Sequence, residues 1–201
     1  MQIVLATNNR DKIREIKHLL EELPVTILTA DDFLEFPDPE ETGATLVENA
    51  VLKARAIAEF TGLAALADDS GLEVDALDGA PGVYSSRYAG ENVTYKDNFT
   101  KLLRKMAGVP HDKRTARFRC VIALVWEDGT IDTVEGAAEG TITTNVQGDQ
   151  GFGYDPVFFY PPLNKRFSEM TLDEKNQVSH RGKALQAARE LIVRRLNQPR
   201  N

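Results

Sequence analysis

Leu63-Ala64-Ala65-Leu66-Ala67-Asp68-Asp69-Ser70-Gly71 sets an apolar run directly against two carboxylates and a glycine. Residues 63–67 read as a short buried strand. Asp68-Asp69-Ser70-Gly71 then reads as the point where that strand opens onto a crevice, with Gly71 allowing a tight turn, and Leu72 to Leu77 reads as a further strand. Two adjacent anions are costly unless a cation, or a raised proton affinity on one of them, compensates. The chemistries that use such a pair are ligation of a hard divalent cation and activation of water. By composition alone the same residues also describe an Asp-capped turn.

Upstream, Gln2 to Ala6 reads as a strand and Arg10 to Glu22 as a helix, with Ile13, Ile16, Leu19, Leu20 and Leu23 on one stripe and Pro24 ending it. Val25 to Leu28 returns as a strand, so the chain opens on a β-α-β unit, which favours a parallel pair. Thr45 with Glu48 forms a capping box for a helix reaching about Phe60, and Thr94 with Asp97 caps another that runs to Met106. Downstream, Phe118 to Trp126 is apolar on both faces, which marks a central strand. Asp128-Gly129 signals a hairpin, with Thr130 to Ala137 returning antiparallel. Val157 to Phe159 reads as a short strand, and Ser179 to about Leu196 as the last helix, with Ser179 as its N-cap. The class expected is α/β, two-lobed, with a central mixed β-sheet flanked by helices and an active-site cleft between the lobes. Residues 1–201 form a single domain on this reading.

Bulk composition narrows the function. Lys and Arg number 24 against 31 Asp and Glu, a net charge of −7. That balance disfavours a polymeric nucleic acid as partner, since such surfaces need a basic stripe. Arg114, Arg117 and Arg119 accordingly read as a solvated strand edge. The single cysteine, Cys120, excludes an internal disulfide framework and fits a reducing cytosol. The apolar start at residues 1–6 is too short for a membrane span, so a cytoplasmic protein without membrane attachment is expected.

Four further segments carry chemistry. Thr7-Asn8-Asn9-Arg10-Asp11-Lys12 joins the first strand to the first helix, where open α/β sheets bind ligands and helix starts attract anions. It is not a P-loop, lacking the Gly-x-x-x-x-Gly-Lys-Ser/Thr pattern, and taken alone it is also an ordinary helix cap. Glu40-Glu41-Thr42-Gly43 precedes a helix on which Asn49 and Lys53, four apart, share a face. Mg²⁺ takes one or two carboxylates plus substrate phosphate oxygens, and Glu41 is placed to be one of them. Gly151-Phe152-Gly153-Tyr154-Asp155-Pro156 can offer a flat ring and a hydrogen-bond acceptor to a planar base, or can equally be a turn with Phe152 in the core. Ser179-His180-Arg181-Gly182-Lys183 puts basic residues in a first turn whose dipole prefers acids, and an electronegative ligand would explain them. Lys175 lies five residues upstream of His180. Pro81 to Tyr88 mixes turn residues, aromatics and a cation, which suits either a crevice wall or a subunit contact.

In this order the segments resemble those of the inosine triphosphate pyrophosphatase family, from Thr7 to Lys183. The resemblance is carried most by Ala67 to Leu72, Gly79 to Gly90, Gly151 to Phe158 and Ser179 to Lys183. It implies a homodimer that cleaves dITP, ITP and XTP to the nucleoside monophosphate and pyrophosphate with Mg²⁺. It implies that Thr7, Asn8, Asn9, Arg10, Asp11 and Lys12, with Lys53, hold the triphosphate, and that Ser70 touches substrate. Asp69 is implied as proton acceptor and metal ligand. Phe152, Gly153, Tyr154, Asp155, Lys175, His180 and Arg181 are implied at the nucleobase end. The first motif departs from the family's Thr-Gly-Asn pattern, carrying Asn8 for glycine and Asp11 beside Lys12. Two other classes compete: a module that binds triphosphates without cleaving them, and a nucleic-acid accessory protein. Turnover of dITP separates the first from an enzyme, and salt-dependent binding tests the second.

Overall fold

The computed structural model of the chain describes residues 1–198. In chain order, β1 (Gln2–Leu5), α1 (Arg10–Leu20), β2 (Thr26–Leu28), α2 (Leu46–Thr61) and β3 (Ala64–Val74) come first. They are followed by β4 (Pro81–Gly82), α3 (Tyr95–Lys105), β5 (Thr115–Val125), β6 (Ile131–Ile142), β7 (Phe158–Tyr160), β8 (Lys165–Arg166), α4 (Leu172–Val178) and α5 (His180–Leu196). The sheet is mixed, in the order β2-β1-β3-β5-β6-β7-β8, with β4 paired to β3. β1 runs parallel to both β2 and β3, as the opening β-α-β unit requires.

Local sequence accounts for most boundaries. Asn9 caps α1 by accepting from the backbone N–H of Asp11 and Lys12. Thr45 and Glu48 close the capping box of α2, Thr94 and Asp97 that of α3. α2 ends on Gly62 in the left-handed region, where a Cβ would be strained. The Asp128-Gly129 turn joins β5 to β6, with Trp126 N donating to Thr130 O at one end of the pair and Ile142 N to Arg114 O at the other.

Three expectations are corrected. α1 stops at Leu20, ahead of Pro24, once its buried stripe is complete. Asp68-Asp69-Ser70-Gly71 makes no turn; β3 is one strand of 11 residues passing straight through it. β4 supplies part of the reason, pairing antiparallel with Leu72 and Glu73 while Ser85 Oγ accepts from Leu72 N at 2.9 Å. A Cβ on Gly71 would collide with the carbonyl oxygen of Gly82, so this glycine permits a close backbone approach within a strand. A separate short helix, α4, capped by Thr171 and Glu174, precedes the last one; Ser179 closes it and, with its extended backbone, stands directly before His180 at the cap position expected of the last helix. Arg114 is buried, its guanidinium donating to the carbonyl oxygens of Met106, Val109, Ile142 and Thr143, whereas Arg117 and Arg119 pair with Asp75, Glu139 and Glu73 near the surface.

The chain forms two compact units, and the boundary between them falls inside β3, after Asp69. The first comprises residues 1–69, 120–136 and 181–201. Its core joins Ile3 and Leu5 of β1 and Ile16 and Leu20 of α1 to Ile122 and Leu124 of β5 and Leu185 and Ile192 of α5. The second comprises residues 70–119 and 137–180. Its core is built on Leu72, Leu102, Phe118, Phe158 and Phe167. Among the described residues no helix is long and apolar enough to cross a membrane.

Candidate active site

Because Asp68 and Asp69 are consecutive in a strand, their side chains leave on opposite faces of the sheet. Asp68 shares its face with Ala64 and Leu66, which pack into the first unit's core. Asp69 shares the other face with Ala65 and Ala67 and meets α2. The repulsion expected of an adjacent acidic pair is relieved by this divergence, and each carboxylate then finds its own cations.

Asp69 is the centre of a small charged cluster. Lys53 Nζ lies 3.1 Å from Asp69 Oδ1 and 2.7 Å from Glu41 Oε1, and it also donates to the Asp68 carbonyl oxygen at 2.9 Å. Asn49, one helical turn before Lys53, donates to Asp69 Oδ2 at 3.4 Å and accepts from Gly43 N at 2.7 Å. That second bond fixes the loop carrying Glu41. Burial pushes the Asp69 carboxyl above its ordinary value; Lys53 opposes this and Glu41 adds to it. Burial lowers the Lys53 ammonium, but Asp69, Asp68 and Glu41 together hold it above its ordinary value. Two carboxylates face the Lys53 ammonium, and the charge of Lys12 also reaches Asp69. Among the described residues no group of three or more His, Cys, Asp or Glu gathers to hold a metal by itself. The point on which Glu41 and Asp69 converge is the Lys53 ammonium; two carboxylates are what Mg²⁺ takes when phosphate and water supply its other ligands. Glu40 is exposed and stands outside the cluster.

Asp68 is fully buried, and its Oδ2 receives Arg181 Nε at 3.1 Å, Arg181 Nη2 at 3.0 Å and Lys12 Nζ at 3.2 Å. The Cys120 thiol donates weakly to the same oxygen at 4.0 Å. Arg181 continues to Glu15 of α1, Nη1 to Oε2 at 2.6 Å. Burial opposes ionisation of Asp68, but Lys12 and Arg181 hold its carboxyl well below the usual carboxylate range. Burial and the Asp68 charge push the Cys120 thiol up to about 12, so it is an inert neutral donor. Charges balance here: Lys12 and Arg181 against Asp68 and Glu15. The sequence expectation set Arg181 with a nucleobase; in the structure three of its five N–H groups go to two buried carboxylates of the first unit.

The start of α1 stands beside this network through Lys12, whose Nζ also lies 3.5 Å from the Asp68 carbonyl oxygen. Thr7 Oγ1 accepts from Asn9 N, and Asn8 and Arg10 are exposed. Asp11 turns to Arg14 at 3.4 Å, which takes the extra carboxylate away from Lys12. Ser70 follows Asp69 on β3 and is half-buried.

In the second unit, Lys175 of α4 is buried, with Nζ 2.7 Å from Asp155 Oδ2 and 4.6 Å from the centre of the Phe152 ring. Asp155 Oδ2 also accepts from Phe152 N at 2.8 Å, which sets the ring. Gly151 and Gly153, on either side of that ring, both have positive φ. Tyr154 is core: it is buried and its hydroxyl donates to Ser85 O at 2.9 Å. His180 stacks on Phe118, centroids 4.6 Å apart and planes 9° from parallel. Phe152, Asp155 and Lys175 thus form one constellation of aromatic face, acceptor and cation. Sequence reasoning missed Glu15 and Cys120 as partners of the acidic pair. Neither had a local signal: the positions three and four away from Glu15 on α1 are Asp11, Lys12, His18 and Leu19, a mostly polar flank.

An α/β chain with paired carboxylates and lysines in a strand just past its parallel pairing with β1, and an aromatic-lined polar constellation elsewhere, is chemically equipped for a phosphorylated, ring-bearing small molecule. The chain belongs to the Ham1 family, whose model matches residues 3–191. It is 52% identical over 194 residues to the dITP/XTP pyrophosphatase of Desulforamulus reducens, covering 96% of each chain. It is 51% identical to that of Geobacter sulfurreducens, covering 92% of each. A HAM1 protein structure from Coxiella burnetii superimposes with a TM-score of 0.88 at 43% identity, over 96% of this chain and 99% of that one.

Proposed function

We propose that this chain is a Mg²⁺-dependent pyrophosphatase that hydrolyses the non-standard purine nucleoside triphosphates dITP, XTP and ITP to the nucleoside monophosphate and pyrophosphate. The observation that carries the reading is the convergence of Glu41 and Asp69 on the Lys53 ammonium, at 2.7 and 3.1 Å. The activity named for relatives about half identical over nine-tenths of both chains supports the substrate class. Residues 1–201 act as one functional domain. The homodimer and the cytoplasmic location rest on the family resemblance and, for the latter, on the lone buried cysteine.

When bound by Glu41 and Asp69, Mg²⁺ supplies positive charge against the phosphate oxygens. Asp69 takes the proton of the water that attacks the α-phosphorus; its raised proton affinity suits a carboxylate acting as base. Lys53 stays beside Asp69 and offsets charge on the departing pyrophosphate. Lys12 does the same by exchanging its contact with Asp68 for one with phosphate, and Arg181 keeps Asp68 neutralised as that exchange occurs. Thr7 through Asp11 and Ser70 line the triphosphate. At the base end, Phe152 offers its ring, Asp155 accepts from ring N–H groups, and Lys175 and His180 donate to the 6-keto oxygen. Adenine carries an amino donor at that position and leaves a buried donor unpaired, at a cost of about 1–3 kcal/mol.

The test is a panel of common and deaminated triphosphates assayed separately for pyrophosphate and orthophosphate. Pyrophosphate from dITP, XTP and ITP, abolished by chelation of Mg²⁺, is the expected result. Orthophosphate as the first product, or equal turnover of dATP, sinks the reading.

A further inference from the structure

Beyond the residues named so far, the second unit contains a buried arginine tied to an exposed loop. Residues 144–150, between β6 and the Phe152 ring, are exposed, and no apolar side chain of this stretch enters the unit's core. Gly148, Gly151 and Gly153 all have positive φ, so the loop has little conformational preference of its own. Its shape is set instead by Arg166, which is buried at the end of β8.

The Arg166 guanidinium reaches three alternate side chains of the loop. Nη1 donates to Gln147 Oε1 at 2.5 Å, Nη2 to Asn145 Oδ1 at 2.9 Å, and Nε to Thr143 Oγ1 at 3.5 Å. The backbone bends at residues 144 and 145, which turns the three side chains toward one guanidinium. The residues after Arg166 complete the latch. Glu169 accepts from Arg166 N at 2.8 Å and from Gln147 Nε2 at 2.9 Å. Ser168 Oγ donates to Gln147 O at 2.6 Å, and Gln150 N donates to Ser168 O at 3.0 Å. A Cβ on Gly148 would collide with Ser168, so the two backbones are in close contact.

Both halves of the base-end constellation hang from this latch. Phe152 and Asp155 follow the loop directly. On the other side, Phe167 packs in the core parallel to the His180 ring, and Thr171 caps the helix that carries Lys175. We infer that Arg166 is a positioning residue for base discrimination: its three-way grip on Thr143, Asn145 and Gln147 sets the register of the Phe152 loop against Lys175. The inference rests on the base-end role assigned above. The rigid planar fork spreads its donors over the three acceptors in fixed directions, which the single-point ammonium of lysine does not reproduce.

The experiment compares wild type, Arg166→Gln, Arg166→Lys, Asn145→Ala and Gln147→Ala on dITP, XTP, dGTP and dATP, with thermal unfolding alongside. In both Arg166 variants the ratio of kcat/KM for dITP over dGTP and dATP falls by about tenfold, through KM for dITP, while kcat for dITP stays within about twofold. The two loop variants give smaller falls that are not additive with Arg166→Gln. A folded Arg166→Gln protein with wild-type discrimination overturns the inference. So does a uniform loss of kcat/KM on every substrate, which marks a merely structural arginine. If Arg166→Gln does not fold, unchanged discrimination in both Asn145→Ala and Gln147→Ala overturns it. A wild type with no preference for dITP overturns the base-end reading itself, a result distinct from all of these.

Discussion

Two neighbouring aspartates, identical in chemistry, are given different tasks by the direction in which their side chains leave β3. Asp68 faces the first unit's core and is held ionised by Lys12 and Arg181. Asp69 faces α2, where burial and Glu41 raise its proton affinity against the pull of Lys53. Their neutral isosteres should therefore diverge. Asp68→Asn leaves the buried Arg181 with one full carboxylate partner, Glu15, and should lower unfolding free energy by about 3 kcal/mol. Asp69→Asn removes a charge that burial already disfavours, so its unfolding free energy should stay within about 1 kcal/mol of wild type while turnover is lost. Urea unfolding and pyrophosphate release on both variants check this. A stable Asp68→Asn, or an active Asp69→Asn, reverses the assignment.

At the scale of elements, what was legible in the sequence is what is decided locally. The capping boxes Thr45/Glu48 and Thr94/Asp97 and the Asp128-Gly129 hairpin need no distant partner, and each stands where its residues indicate. The i, i+4 pairing of Asn49 with Lys53 likewise brings both to Asp69. What was not legible depends on chain far away. Asp-Asp-Ser-Gly has the composition of a turn, and its pairing partners elsewhere in the chain, β5 on the sheet and β4 with Ser85, keep it extended. Arg114, Glu15 and Arg181 are charged residues whose burial follows from partners that no local pattern announces. The continuity of β3 can be tested at Gly71. Gly71→Ala sets a methyl group against the Gly82 carbonyl oxygen and should destabilise the protein by about 1–3 kcal/mol, read from the denaturation midpoint. A neutral substitution would mean that the two strands separate without cost.

At the scale of the whole molecule, each unit has its own apolar core and its own share of the chemistry. The acids and lysines assigned to the triphosphate belong to the first unit, and Phe152, Asp155, Lys175 and His180 to the second. The ordered set of motifs made the family legible in the sequence although each motif alone was ambiguous, because chance would have to supply all of them in sequence. The partners that hold the site residues in place, Glu15, Cys120 and Arg166, lay outside those motifs. In the proposed reaction, water deprotonated by Asp69 attacks the α-phosphorus. Hydrolysis of dITP in ¹⁸O-labelled water, with mass analysis of both products, tests it most directly. The label should appear in the nucleoside monophosphate and not in pyrophosphate; label in pyrophosphate, with unlabelled monophosphate, would contradict it.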